Sequence, residues 1–207
     1  MLQEIAQLSG AGSGVAKIMV TRGLGERGYA PPLRSSPTRV VSFHTAPVYD
    51  ATFYTDGIKP HLCDLKLSRQ PRLAGIKHLN RLENVLAAAE CQAAGAAEGL
   101  LEDEAGFVIS GTRSNVFAVS NGRLSTPDLS ENGVAGVQRD RVIAWAGYHG
   151  VSCAVARLNL NDLLQADEIF LVNSVFGLWP VARVQDKVFS QRKISLAIQS
   201  WLNDAQN

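Results

Sequence analysis

The chain has 207 residues, 46% of them hydrophobic and 19% charged, and a formal net charge of +1. That length and composition allow one large domain, or one and a half ordinary ones, with a sizeable core, and they exclude a disordered chain. The near-neutral charge excludes a general attraction to nucleic acid or to a membrane surface.

Residues 2–8 read as the last turns of an amphipathic helix, which "GAGSG" breaks. Glu4 and Gln7 interrupt the apolar run, so this N-terminus is not read as a signal peptide, and no window has the apolar length of a membrane span. "VAKIMVTR" (15–22) and "RVVSFHT" (39–45) read as strands on either side of a turn-forming loop. A linker is expected at 47–53. "GIKPHLCDLKL" (57–67) reads as a strand, with Pro60 at its start or edge.

In "AGIKHLNRLENVLAAAE" (74–90), Leu79, Leu82, Val85, Leu86 and Ala89 recur at helical spacing. Asn80 and Glu83 suggest a capping box, so the helix should start just after Asn80 and run to about 94–97. Hairpins are expected over 99–110 and 115–127, the second around Asn121-Gly122. A helix over 136–150, a strand over 151–158 and a short helix over 159–165 come next. A strand over 167–174, a strand pair over 179–189 and a final helix over 194–204 complete the pattern. Strands in hairpins with helices inserted make the class α+β. Cys63, Cys91 and Cys153 are widely spaced, with no CxxC. They predict small buried side chains instead of a disulfide framework or zinc site, and they suit a reducing cytoplasm.

Four segments carry candidate chemistry. Lys77 stands beside the apolar Ala74-Gly75-Ile76, and a lysine enclosed by such residues can lose its proton and attack a carbonyl. "GLGERG" (23–28) has the glycines of a dinucleotide loop, but Tyr29-Ala30-Pro31-Pro32 cannot open the helix which that fold needs. A loop carrying Arg22, Arg27 and Tyr29 remains, suited either to the surface or to a carboxylate. In "ENGVAGVQRD" (131–140), Gly136, Val137 and Gln138 open a helix with free N–H groups, as an ordinary helix start or a phosphate site. "SGTRSNVF" (110–117) and "LVNSVFGLWP" (171–180) place small polar side chains, including Asn115, Asn173 and Ser174, at strand ends. A carbonyl-reactive lysine, an anion-binding helix start and strand-end hydroxyls together suggest a phosphorylated aldehyde, of which pyridoxal 5'-phosphate is the obvious one.

"LAGIKHLNRLENVLA", "GTRSNVF", "GVAGVQRDRV" and "ADEIFLVNSVFGLWPV" together resemble the fold-type IV pyridoxal-phosphate enzymes, the class IV aminotransferase family. "TRGLGERGY" and "GIKHLNRLENV" look most like its 4-amino-4-deoxychorismate lyases. The resemblance covers nearly the whole chain. It implies an incomplete small N-terminal α/β domain at 1–46, the linker, and a larger C-terminal cofactor domain at 54–207 with a barrel-like β core and flanking helices. It implies that Lys77 binds the cofactor aldehyde. Val137 and Gln138 would hold the phosphate through their backbone N–H groups and Ser174 through its hydroxyl. Val134 would lie against the ring, Arg27 and Tyr29 would line the substrate-carboxylate side, and Asn115 would brace its loop. A cytoplasmic homodimer with no metal is implied.

Two departures are visible. Ser110 stands where the family has a glutamate that pairs with the pyridine nitrogen, and serine cannot supply that charge. A weaker electron sink is expected, unless an acid such as Glu104 compensates. The family also has a segment before the helix that ends here near Leu8, so a truncated chain, a misassigned start or a degraded paralogue is expected, with an exposed sheet edge. The activity implied is a carbon–oxygen or carbon–carbon type lyase reaction, 4-amino-4-deoxychorismate to 4-aminobenzoate and pyruvate, in folate biosynthesis. A branched-chain or D-amino-acid aminotransferase and an inactive relic or partner subunit are the alternatives.

Overall fold

A computed structural model describes residues 2–9 and 14–204. The residues fall into two units, Met1–Val48 and Tyr49–Asn207. In the first, α1 (Leu2–Ser9) precedes β1 (Gly14–Thr21) and β2 (Thr38–Thr45), which pair antiparallel from Gly14↔Thr45 to Thr21↔Thr38. Arg39 and Glu4 form an exposed ion pair at 2.6 Å between β2 and α1, and at that exposure it contributes little. Ile18, Val20 and Val40 are exposed on the ribbon. Arg27 and Tyr29 are exposed in the loop that joins its strands.

The second unit opens with a one-turn helix, α2 (Thr52–Thr55), across the end of the stretch expected as linker. Then come β3 (His61–Leu67), α3 (Leu82–Ala93), β4 (Gly99–Asp103), β5 (Phe107–Gly111), β6 (Asn115–Ser120) and β7 (Arg123–Pro127). Next are α4 (Val137–Tyr148), β8 (Cys153–Ala156), β9 (Leu158–Asn159), α5 (Leu160–Leu164) and β10 (Glu168–Asn173). The unit ends with β11 (Gly177–Pro180), β12 (Arg183–Val184), β13 (Lys187–Val188) and α6 (Lys193–Asp204). Strand β3 starts just after Pro60, which has no N–H for a ladder. Asn121 and Gly122 turn β6 into β7 with φ of 50° and 75°, the left-handed pair that a tight hairpin demands.

One sheet has the order β3-β4-β5-β9 and the other β11-β10-β6-β7-β8. Each contains a single parallel pair, β3/β4 and β7/β8, and each pair is joined by a helix, α3 and α4 respectively. Parallel neighbours require such a crossover, and the helix then covers one face. The central strands β6 and β10 are buried on both sides. Val116 and Ala118 meet Leu100, Val108, Ile169, Leu171 and Trp179 in a core shared by the two sheets. The alternate residues Phe117 and Val119 pack with Val142 and Trp145 of α4 and Ile198 of α6. Runs such as "VFAV" (116–119) are apolar throughout for this reason. Glu168, itself buried, anchors α6 by accepting from the N–H groups of Ile194 (3.0 Å) and Ser195 (2.9 Å) and from the Ser195 hydroxyl (2.7 Å).

Helix α3 departs from the sequence expectation in two ways. Its N-cap is Arg81, and no side chain caps it; Glu83 instead accepts from the Ser68 N–H at 2.8 Å. Its apolar stripe also faces outward. Ala87 and Cys91 are the buried positions, against Cys63, Leu67, Leu101 and Ile109, whereas Leu82, Val85 and Leu86 are 71%, 61% and 57% exposed. The buried face uses small side chains because it lies close over β4. A Cβ on Gly99 would sit 2.6 Å from the Cys91 sulfur and 2.7 Å from that of Cys63.

All three cysteines are free thiols, and the Cys63 and Cys91 sulfurs are 3.9 Å apart. Burial, with Cys91 beside it, pushes the Cys63 thiol up from the ordinary 9.0 to about 12. A value raised on folding stabilises fully below the unfolded value and is lost as pH climbs through the folded one. Stability should therefore fall between about pH 9 and 12. Urea denaturation across that range should show a shallower fall in Cys63→Ala than in the unmodified chain.

Candidate active site

The candidate residues of the second unit are carried by loops at strand and helix ends, and glycines decide how those loops meet. Gly75 adopts φ of 75° and forms a parallel bridge with Val134. The Gly75 N–H donates to the Gly133 carbonyl at 3.1 Å, and the Ala135 N–H donates to the Gly75 carbonyl at 3.0 Å. Lys77, two residues on, is thereby tied to the approach of α4. Lys77 is exposed, as are Ile76 and Leu79, so the apolar enclosure expected around its amine is not present among the described residues.

Helix α4 starts at Val137 with Gly136 as its extended N-cap, and no side chain caps it. Its first N–H groups, those of Val137 and Gln138, are therefore open to an anion. Asn115 makes that start possible. Its Nδ2 donates to the Val134 carbonyl at 2.8 Å, and a Cβ on Gly136 would lie only 2.3 Å from its Oδ1. Glycine is required at 136 by this approach. Gln138 is buried, and its Oε1 accepts from Arg141 at 3.1 Å. Arg139 is buried too and donates to the Pro127 carbonyl at 3.1 Å, with burial lowering its basicity.

Ser174 is exposed in the turn between β10 and β11. Asn173 shapes that turn, accepting from the N–H groups of Val175 and Phe176, each at 2.8 Å, and donating to the Arg113 carbonyl at 3.3 Å. The β10/β6 register sets Val172 opposite Asn115, so this turn lies beside the Asn115 strand.

Ser110 is buried in β5, opposite Leu101. Glu104 does not stand in for the missing carboxylate. It is exposed in the turn between β4 and β5, and about 10 Å of extended strand separates Phe107, just beyond that turn, from Ser110. Arg27 and Tyr29 belong to the other unit.

One buried residue beside this arrangement is absent from the sequence reading. Glu98 is 1% exposed, and its carboxylate accepts from the N–H groups of Gly99 (2.9 Å) and Thr112 (2.8 Å) and from the hydroxyls of Thr112 and Ser114. The Arg113 guanidinium lies 3.6 Å away. A single glutamate within "AAEGLL" was the available signal, because a buried charge must find partners.

The sequence profile of the amino-transferase class IV family matches residues 1–184. The chain belongs to the class IV aminotransferase family. It is 36% identical over 191 residues to an aminodeoxychorismate lyase of Vibrio harveyi, covering 90% of this chain and 70% of that protein. It superposes on the crystal structure of 4-amino-4-deoxychorismate lyase from Pseudomonas aeruginosa with a TM-score of 0.92 and 43% identity, covering 98% of this chain and 76% of that one. The T.th. branched-chain amino acid aminotransferase complexed with N-(5'-phosphopyridoxyl)-L-glutamate aligns with a TM-score of 0.82 over 98% of this chain and 67% of that one, and at 22% identity it speaks to the fold alone. The mixed α/β fold is thus that of the fold-type IV enzymes, and the family depends on pyridoxal phosphate.

Removing the Asn115 amide leaves the Val134 carbonyl without its partner. Asn115→Ala should lower stability by about 1–3 kcal/mol in urea denaturation.

Proposed function

We propose that the chain binds pyridoxal 5'-phosphate in the second unit and acts as an aminodeoxychorismate lyase, converting 4-amino-4-deoxychorismate to 4-aminobenzoate and pyruvate in folate biosynthesis. The observation that carries the cofactor reading is the Gly75–Val134 bridge, because it joins an exposed lysine to an uncapped helix start. An amine and an anion site held together suit an aldehyde that bears a phosphate. The likeness to the Vibrio and Pseudomonas lyases supports the choice of reaction.

Lys77 Nζ would hold the aldehyde in the resting protein. The N–H groups of Val137 and Gln138, with the Ser174 hydroxyl, would hold the phosphate. Val134 would lie against the ring, with Ser110 on the side of the ring nitrogen. When bound, the cofactor supplies an aldehyde that captures the substrate amine and a ring that takes up the electron pair left by a departing proton. Freed by the substrate, Lys77 Nζ removes the proton from the amino-bearing ring carbon and later returns one to the departing enol, giving pyruvate. Arg27 and Tyr29, both in the first unit, are the candidates that the family resemblance offers for the substrate carboxylate. The Ser110 hydroxyl can share a hydrogen bond but carries no charge, so the ring withdraws electrons less strongly than with a carboxylate at this position.

Borohydride reduction of the chain with added pyridoxal phosphate should leave an adduct that peptide mapping places on Lys77, and Lys77→Ala should lose both the adduct and turnover. Release of pyruvate with 4-aminobenzoate supports the lyase; an amino group exchanged between two acids instead makes the chain an aminotransferase. No adduct on a folded chain points to a relic or a partner subunit.

The two sheets and their shared core are read as the barrel-like core of the larger domain, and three free thiols suit a cytoplasmic protein. The partner is a second copy of the chain, seated on the outward stripe of α3. Leu82, Val85 and Leu86 of α3 and Leu73, Ile76 and Leu79 of the segment before it are exposed, and an apolar surface of that extent favours burial. Light scattering should give a dimer mass for the unmodified chain and a monomer mass for Leu82→Glu combined with Leu86→Glu. A monomer in both overturns the dimer.

A further inference from the structure

We propose that Glu98 is the positioning residue of this site, fixing one turn from which α3, the start of α4 and the Ser174 turn are all held. The proposal rests on the cofactor reading above.

Residues 112–114 form the turn between β5 and β6, closed by the Gly111 N–H donating to the Ser114 carbonyl at 2.8 Å. It folds directly onto β4. A Cβ at Gly111 would lie 2.1 Å from the Ser114 hydroxyl and 3.1 Å from the Gly99 carbonyl. The Thr112 N–H and the Thr112 and Ser114 hydroxyls donate to Glu98, and the Arg113 guanidinium, which donates to the Ala97 carbonyl, lies 3.6 Å from it. Both carboxylate oxygens are engaged, and the side chain is wholly buried.

Three asparagines lead away from this turn. Asn84 of α3 donates to the Thr112 carbonyl at 2.8 Å. Asn173 donates to the Arg113 carbonyl at 3.3 Å, which locates the Ser174 turn. Asn115, the residue after Ser114, donates to the Val134 carbonyl and so locates the Gly75 bridge and the α4 start. Every link from turn to site uses a backbone carbonyl, or a side chain one residue away, whose position Glu98 sets. Glu98 acts through these groups and is placed to touch neither substrate nor cofactor. A glutamine there would turn an amide NH2 toward donors and loosen the turn.

The test compares Glu98→Gln with Glu168→Gln, a second buried carboxylate that holds three donors at α6 instead. Amide hydrogen exchange at Gly75 and Ala135 is measured without cofactor, at temperatures where circular dichroism shows both variants equally folded; pyridoxal phosphate is then titrated by absorbance. Glu98→Gln should speed exchange at both amides at least tenfold and weaken cofactor binding at least tenfold, while Glu168→Gln changes each less than twofold. Unchanged exchange in Glu98→Gln, or equal changes in both variants, overturns the proposal. Should the unmodified chain bind no pyridoxal phosphate, the cofactor reading fails, while the exchange comparison still decides the positioning role. Should Glu98→Gln not fold, Thr112→Val and Ser114→Ala each remove one donor and should show a smaller shift in the same amides; no shift in either overturns it.

Discussion

Two hydrogen bonds, from the Gly75 N–H to the Gly133 carbonyl and from the Ala135 N–H back to Gly75, tie the loop ahead of α3 to the loop ahead of α4. Residues 75 and 134 are far apart in sequence, and each loop alone would be free to move. Joined, they place an amine and a row of unpaired N–H groups on neighbouring backbone. Gly75 can make the bridge because it accepts a left-handed conformation. Gly136 can follow it because nothing larger fits beside Asn115. The bridge holds the Lys77 loop and the start of α4 on neighbouring backbone.

The bridge in turn is reached from strands fixed by packing on both faces. β6 and β10 are buried on both faces, between the shared core and the α4/α6 layer. Their ends, at Asn115 and Asn173, are therefore set by packing, and the polar side chains that emerge there have defined positions. The loops carry the reactive groups, and the sheet determines where each loop begins. Glu98 lies just ahead of β4, in the neighbouring sheet. Its burial would be costly without partners, and three of its four donors come from Thr112 and Ser114 and bind the 112–114 turn to it.

Helix α3 shows the opposite allocation. Its small residues, Ala87 and Cys91, face the protein, and its large ones face outward. A helix that buries Leu gains more than one that buries Ala, so this orientation is costly for the chain alone. It is imposed by the closeness of α3 to β4 at Gly99, where two sulfurs already fill the space. The exposed stripe begins beside Lys77, so whatever covers it also borders the candidate site.

Much of this was legible in the residues. Asn121-Gly122 marks its hairpin because only left-handed turns match strand twist, and "NVFAV" and "EIFLV" mark strands because apolar runs of that length suit sheets covered on both sides. Lys77 ahead of a helix, and Gly136 at the start of another, stand out from local pattern and capping preferences. The outward stripe of α3, the open surroundings of Lys77, the distance of Glu104 from Ser110 and the place of Glu98 were not legible. Helical periodicity groups Leu82, Val85 and Leu86 on one face, but it cannot say which face the rest of the protein covers. A carboxylate written among alanines and leucines looks the same whether it is exposed or bonded to Thr112 and Ser114, fourteen and sixteen residues away. Local elements follow from short-range sterics and periodicity, which the sequence by itself determines. Which side of an element is buried, and which charges acquire partners, depends on contacts between distant segments, and those only the tertiary structure decided.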